Sequence, residues 1–553
     1  MPSGDSWFLA GNYMDACRAG SWWPAIFTRL HEHWLVFCKA GLFAGFEWLG
    51  GDSDRLTLIA WLSILIAVLR TTQLSQSWVQ TGPPRSLNAI WFTCALLMFT
   101  LGQTYFLQWE ACFFLHLPLL ALLLMHGILS TDLHWTIRVI LAALAGTASV
   151  LTFGMGIVAA IAIIPVIVLD SRADRWKVSV SWFLIVAALA YLQFEGVRAV
   201  STENATVSRL LTDPAMAIQF ALAILGSPVA WGTAIDPTRQ SVVLAAIGLL
   251  IFSGVLWTLW LRRSDKILIK QAAPWISVTL SGLGAAALIT AGRLSENFGI
   301  AITGRYVVLA LPFTLGLFML VSLLWSEKSW FRQMIPLFIT LLVLNWFAGA
   351  SEMSYWQARN RYERSSMMLL PHLPIEALPG LDLVEGTDRL RDTLSFLREK
   401  KVLRRVPEVA GIDLTAFDRR AELTVSRAEF KSLQANETGW LAVGRAVLPS
   451  TQLPPDLILI SFESDDTPAR IVDTAIPTLP VNYFENATRV RSYREFYNGW
   501  QRQIKAAHLP AGKTGWLRAW AWDLNTQRIA PMSGRHAITI PSTQPSVGET
   551  AKP

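Results

Sequence analysis

The sequence predicts an α-helical polytopic membrane protein with a soluble β-sandwich domain at its C-terminal end. Three observations carry that prediction. First, 53% of the 553 residues are hydrophobic and only 16% are charged, against about 25% charged in an average soluble domain. The mean hydropathy is +0.39. Second, the charge is uneven. Residues 1–350 hold 21 Lys/Arg and 17 Asp/Glu, roughly 11% of positions, whereas residues 351–553 hold 26 and 23, roughly 24%. Third, apolar runs of about 15–22 residues recur through the first part, each long enough to span or nearly span a bilayer. The composition excludes a disordered chain and argues against a wholly soluble one. The net charge of +7 is a weak signal; the basic residues between apolar runs sit in short loops, a sign of membrane topology rather than of a nucleic-acid partner.

Five regions follow: an external N-terminal segment (1–55), a transmembrane domain of about ten spans (56–350), a helical linker (351–419), an extracytoplasmic β-sandwich (420–541) and a flexible tail (542–553). The expected spans are 56–70, 88–107, 110–129, 137–152, 155–169, 178–194, 241–261, 274–291, 304–325 and 333–350. The run 215–230 is short and contains Gly226-Ser227-Pro228, which predicts a re-entrant or interfacial piece. Orientation follows from the basic loops: Arg262, Arg263, Lys266 and Lys270; Arg172, Arg175 and Lys177; Arg70 and Arg85; Lys328 and Arg332. With these in the cytoplasm, both chain ends lie outside. An external start with no signal peptide or preceding span predicts a further helix ahead of Met1. The location expected is the bacterial cytoplasmic (inner) membrane.

In the tail, Leu390, Leu394, Phe396 and Leu397 recur at helical spacing over 384–402. Strands are expected at Ala421–Val425, Trp440–Val447, Leu457–Phe462, Arg470–Ile476, Trp516–Trp522 and His536–Ile540, separated by turn signals. The four cysteines, Cys17, Cys38, Cys94 and Cys112, all precede residue 350, so the tail is not disulfide-stapled. Cys17 and Cys38 could pair if they face an oxidising compartment.

Polar groups beside membrane spans are costly and raise functional hypotheses. On the outer face of this topology lie Asp5, His31-Glu32-His33, Gln108-Trp109-Glu110, the break Phe153-Gly154-Met155-Gly156, Leu225-Gly226-Ser227-Pro228, and Arg293 with Arg305-Tyr306. Each has a plain structural role available. Asp5 could cap a helix. Glu32 and Glu110 could be solvated acids, the glycines could serve a tight turn, and the arginines could snorkel to lipid headgroups. His31 and His33 are two apart and share no helix face, which argues against a zinc pair. The stronger signal is their collection on one face. Arginines can hold a phosphate, and nearby carboxylates can act as a general base or bind a divalent cation. Together they suit a lipid-phosphate-linked sugar donor. No cofactor is specified by the sequence beyond a possible divalent cation.

The order of these motifs resembles a largely uncharacterised group of bacterial multi-pass proteins of the GT-C glycosyltransferase superfamily. The resemblance runs over roughly residues 4–350, through Asp5-Ser6-Trp7, His31-Glu32-His33, Gln108-Trp109-Glu110-Ala111, Phe153-Gly154-Met155-Gly156, Leu225-Gly226-Ser227-Pro228 and Gly292-Arg293…Phe298-Gly299…Arg305-Tyr306. It implies transfer of a sugar from a polyprenyl-linked donor to a cell-envelope glycan or lipid on the outer face. It implies Asp5 as catalytic base with Glu32 second, and His33, Gln108, Glu110, Arg293, Arg305 and Tyr306 binding substrate. The chain departs from the pattern in lacking the first helix, in Ser6 for one acid of a pair, in His31 for Asn and in Ala111 for Asn. The alternatives are a flippase-like transporter of lipid-linked saccharide and a non-catalytic glycan-binding envelope protein. A transporter of this size should carry internal repeats, and the sequence has none.

The topology is testable. A reporter active only outside the cytoplasm should be active when fused after Asn360 and silent when fused at Ser264. The reverse pattern would invert the orientation.

Overall fold

The computed structural model describes residues 6–29, 33–51, 53–76, 87–100, 114–195, 210–230, 237–294, 301–302, 304–378, 387–403, 413–414, 428–448, 454–477, 499–524 and 528–542. The chain divides into two compact units, residues 15–353 and residues 1–14 with 354–553.

The larger unit is helical. Its elements are the end of α1 (Ser6–Arg18), then α2 (Trp23–Ile26), α3 (Val36–Trp48), α4 (Ser53–Ser75), α5 (Leu87–Met98), α6 (Leu117–Leu129), α7 (Trp135–Thr152), α8 (Gly156–Ala162), α9 (Ile164–Val168), α10 (Arg175–Phe194), α11 (Pro214–Gly226), α12 (Pro237–Leu261), α13 (Lys266–Arg293), α14 (Gly304–Trp325) and the start of α15 (Ser329–Leu369). Among the described residues, seven helices are long and apolar enough to cross a membrane: α4, α7, α10, α12, α13, α14 and the first half of α15. The sequence predicts about ten spans. The difference lies in the shorter apolar helices. The run 155–169 is divided at Ile163 into α8 and α9. Pro165, which has no backbone N–H, stands in the first turn of α9, where none is needed. Of the runs 88–107 and 110–129, α5 and α6 form the described parts. The piece 215–230 is α11 followed by a 3₁₀ turn at Ser227–Val229. α15 does not stop at residue 350 but continues for 41 residues in all.

Buried charge fixes one end of this bundle. Arg138, in the first turn of α7, is 2% exposed and pairs with Asp174 and, at 3.7 Å, with Asp170. It also donates to the carbonyls of Leu129 and Leu133. Arg172 binds Asp170 and donates to the carbonyls of Thr131 and Leu129. Burial opposes ionisation of Asp170, but hydrogen bonds and charge from Arg172, with the charge of Arg138, hold its carboxyl below the usual range. The 129–135 turn and the 169–175 loop are thereby tied together. Cys17 and Cys38, the pair the sequence leaves open, are free thiols, and Cys94 is a third. Cys38 and Cys94 are fully buried, where a thiol packs as a small apolar group.

In the smaller unit α1 packs on α16 (Thr387–Glu399): Tyr13 meets Phe396 edge-on at 6.2 Å, and Arg389 lies over the Phe8 ring at 5.9 Å. Two antiparallel sheets follow. One has the order β1 (Glu429–Asn436), β2 (Gly439–Arg445), β5 (Gly499–Lys505). The other runs β4 (Thr467–Ala475), β3 (Leu457–Ser464), β6 (Thr514–Asp523), β7 (Arg528–Pro531), with β8 (His536–Thr539) also on β6. Phe430, Ala442, Trp500 and Ile504 of the first sheet and Ile458, Ile460, Phe462, Leu517 and Ala519 of the second share one core. Five of the six expected strands correspond to β2, β3, β4, β6 and β8. The sixth, Ala421–Val425, lies outside the described residues, as does the tail beyond Ser542.

Removing Arg138 leaves Asp174 and two carbonyls without their donor. Arg138→Met should cost about 3–5 kcal/mol, the scale for breaking a buried ion pair. Hydrogen exchange at residues 129–138 should accelerate while β3 is unchanged. Because Asp170 titrates lower folded than unfolded, its contribution is complete above the unfolded value and is lost as pH falls through the folded one. Wild-type protection at 129–138, taken relative to the intrinsic exchange rate at each pH, should therefore fall on acidification, and unchanged protection would contradict the assignment.

Candidate functional site

The chain direction of each helix sorts the motif residues. Arg70, near the end of α4, lies against Gly127 in the last turn of α6. Trp91 in the first half of α5 donates to Ser75 at the end of α4 at 2.8 Å. α5 then runs back, so Thr100 stands at the opposite end from the arginines. α7 likewise carries Arg138 in its first turn and ends at Thr152, its 18 residues rising about 27 Å. α10 begins at Arg175 and ends at Phe194. Gly284, in the later half of α13, faces Val158 in α8. The start of α13 with Lys266 and Lys270 is thus at the arginine end, and Arg293 is at the other. α14 turns back from there, beginning at Gly304 and ending before Lys328. Three basic loops and the described residue of the fourth, Arg70, share one end. Phe153-Gly154, Gln193, Thr100, Arg293 and Tyr306 share the opposite end.

At that end a local assembly is built from Arg29, His33 and Trp34. Arg29 donates to the carbonyls of Leu192 at 2.5 Å and Gln193 at 2.9 Å. These are last-turn carbonyls of α10, which have no partner within the helix and carry the negative end of its dipole. The Arg29 guanidinium also lies 4.6 Å from the centre of the Trp34 ring, and Trp34 Nε1 donates to Leu192 O at 3.3 Å. Leu35 takes a left-handed backbone, φ +48°, and is buried. Such a conformation costs a residue with a side chain about 1–3 kcal/mol and persists where the surroundings hold it. It turns the chain sharply into α3.

His33 lands on the break after α7. Its ring lies 4.3 Å from that of Phe153, and Phe153 lies 5.7 Å from Phe114. A Cβ on Gly154 would stand 2.9 Å from His33 Nδ1 and 3.2 Å from Gln193 Nε2, so a side chain there displaces one of them. Gly156 allows the returning chain to touch the Ser149 backbone. Two motifs predicted separately, around Glu32 and at Phe153-Gly154, are therefore in contact. Phe114, four residues after Glu110, joins them. Asn345 in α15 donates to Thr100 Oγ1 at 2.9 Å and to Pro228 O at 3.0 Å, which brings Ser227-Pro228 to the same end.

Arg293 is the exposed last residue of α13, and Tyr306 is buried in the first turn of α14. Asp5, His31, Glu32, Gln108 and Glu110 lie outside the described residues, as does the side chain of Arg305. Asp5 immediately precedes α1, whose Tyr13 belongs to the smaller unit. Arg29 and Gln193 were not singled out from sequence, whereas Trp34 closes the stretch His31-Glu32-His33-Trp34. The available signal was a basic residue three positions before Glu32. Among the described residues no group of three or more His, Cys, Asp or Glu could hold a metal ion.

Comparison with protein-family models, curated proteins and solved structures finds no match to the chain.

Gly154→Val should push His33 off Phe153. Hydrogen exchange of residues 33–38 should rise, with the arginine end unaffected. No change there would mean that the His33–Gly154 contact is not a constraint.

Proposed function

We propose that the protein is a membrane glycosyltransferase of GT-C type, moving a sugar from a polyprenyl-phosphate-type donor to a cell-envelope glycan or lipid on the outer face of a bacterial inner membrane. The observation that carries the proposal is the meeting of His33, Phe153 and Gly154 at the end of the helical unit opposite Arg138 and Arg172. Seven long apolar helices support membrane embedding, since their outward apolar surfaces require a lipid solvent. The two-sheet core of the tail supports a β-sandwich. A transporter is favoured less, because the polar motifs gather at one end of the helices rather than at their midpoints.

In the proposed reaction an acceptor hydroxyl oxygen attacks the anomeric carbon of the donor. The bond from that carbon to the phosphate oxygen breaks, and the leaving phosphate takes the electron pair. A carboxylate accepts the hydroxyl proton. Arginines at the same end stabilise charge developing on the phosphate. Glu32 is the acid we take as base; its sequence neighbours Arg29, His33 and Trp34 lie in the unit that carries Arg293 and Tyr306, which supports the choice. Asp5 is the second candidate. His33, Gln108, Glu110, Arg305 and Tyr306 are assigned to substrate binding, and a divalent cation could join the carboxylates.

A second reading has one observation in its favour. A polar hollow of about 400 Å³ on the β-domain is lined by Glu463, Asp465, Asp466, Trp516 and Arg535, a set able to hold a saccharide. Non-catalytic glycan binding would use it.

The assay is transfer of radiolabelled sugar from polyprenyl-linked donor in membranes containing each variant. Glu32→Gln should lower transfer roughly 10²–10⁴-fold, the usual contribution of a general base, with donor binding retained. Arg293→Ala should weaken donor binding. Loss in Asp5→Asn with Glu32→Gln unaffected would move the base to Asp5. Full transfer by both acid variants would remove both.

A further inference from the structure

The segment between α2 and α4 carries an aromatic surface that neither the packing of the bundle nor the proposed transfer accounts for. Trp22 stacks on Trp23 at 5.3 Å, Trp23 on Phe27 at 6.3 Å, and Trp22 meets Trp48 edge-on at 6.3 Å and Phe43 at 6.2 Å. Two of these rings face outward to an unusual degree: Trp23 is 61% exposed and Trp48 72%. The surface is also held in shape. Lys39 of α3 is buried and donates from Nζ to Thr28 O at 2.7 Å, Thr28 Oγ1 at 2.8 Å and Ala25 O at 3.1 Å. It therefore closes the turn after α2 onto α3.

The path of the chain defines where this surface lies. α3 begins beside His33, at the end of the helices opposite the arginines. It finishes at Trp48. The left-handed turn Gly50-Gly51 (φ +63° and +67°) then feeds α4. α4 starts at that same end, since its other end carries Arg70. α3 thus starts and finishes at one end of the bundle. Its 13 residues rise about 20 Å, short of the ~30 Å hydrocarbon thickness. It does not cross.

We infer that α2 and α3 form an interfacial anchor, with Trp23, Phe27, Phe37 and Trp48 seated at the boundary between lipid headgroups and acyl chains. This inference rests on the membrane reading above. The occupant is lipid because the aromatic surface leads directly into the exposed apolar stripe Leu58, Ile59, Leu62, Leu65, Ile66 and Leu69 on α4. That stripe follows one helix face and has no protein across it among the described residues. Tryptophan at the junction of such a stripe with the polar end of a bundle has the amphipathic character that the headgroup level selects. The anchor would set the height of His33 and the Glu32 segment against the membrane surface, and with it the depth at which a lipid-linked headgroup is met.

The test is spin-label depth in the full chain reconstituted in phosphatidylcholine–phosphatidylglycerol vesicles, with Cys17, Cys38, Cys94 and Cys112 replaced by alanine. Single cysteines are placed at Phe37, Trp48 and Leu62. The Phe37 label keeps every tryptophan. Relaxation by oxygen and by a water-soluble nickel chelate gives each depth. The inference predicts Leu62 deep in the hydrocarbon and both Phe37 and Trp48 within about 5–10 Å of the headgroup–acyl boundary. Leu62 deep with Phe37 and Trp48 in water overturns the anchor alone. Phe37 and Trp48 as deep as Leu62 also overturns it. Leu62 in water overturns the membrane reading and the anchor with it.

Discussion

A helix ends with carbonyls that nothing within it can satisfy, and at the end of α10 two of them are taken by Arg29. Much of the candidate site depends on that contact. Arg29 lies 164 residues from Gln193 in sequence, so the bond closes a long loop and fixes the segment after it. Trp34 adds a second donor to the same turn. In sequence Glu32, the acid we propose as base, falls between these two anchors. The strained Leu35 follows at once, and the packed Phe153 and Gly154 hold His33 from the other side. A guanidinium suits this task because its planar fork can serve two carbonyls while its face stacks on an indole.

The opposite end of the bundle is organised by a different balance. Arg138 is nearly fully buried, and a charge there is tolerable only because two carboxylates and two carbonyls surround it. The two ends are thus chemically distinct: charge pairs and short basic turns on one, aromatic, glycine and amide groups on the other. The β-domain uses a buried charge in a similar way. Asp473, fully buried, binds Arg502 Nε at 2.7 Å and His508 Nδ1 at 3.0 Å, and Arg502 also donates to Glu376 O. Thr474 Oγ1 donates to Ala377 O. These bonds fasten the short turn after α15 to the sheets.

The helical unit was legible because long apolar runs separated by basic turns are a strong local signal. The break at Ile163 was not, since the flanking residues are apolar on both sides and only Pro165 marks it. The end of α15 was misread for the opposite reason: composition turns polar near residue 350 while the helix continues. In the tail, β3 and β6 are rich in buried apolar residues and were evident. β1 and β5, with sequences such as Lys431-Ser432-Leu433-Gln434 and Gln501-Arg502-Gln503, alternate too weakly to register, and β7 has four residues. For the site, the sorting of motifs to one end followed from the basic loops alone. The contact of His33 with Gly154 and the clamp by Arg29 depend on partners more than a hundred residues away, which no local pattern encodes. The packing of α1 with α16 was equally hidden.

The central claim is that the end of the bundle carrying His33, Phe153 and Arg293 receives a lipid-linked phosphate. The direct measurement is photo-crosslinking of the full chain in membranes with a polyprenyl diphosphate-sugar analogue carrying a photoreactive group near the phosphate, with adducts mapped by mass spectrometry. The account predicts adducts within residues 29–34, 108–114, 153–156 and 293–306, lost when excess unlabelled donor is present. Adducts concentrated at residues 129–138, 169–177 or 262–270, or labelling that the unlabelled donor does not displace, would contradict it.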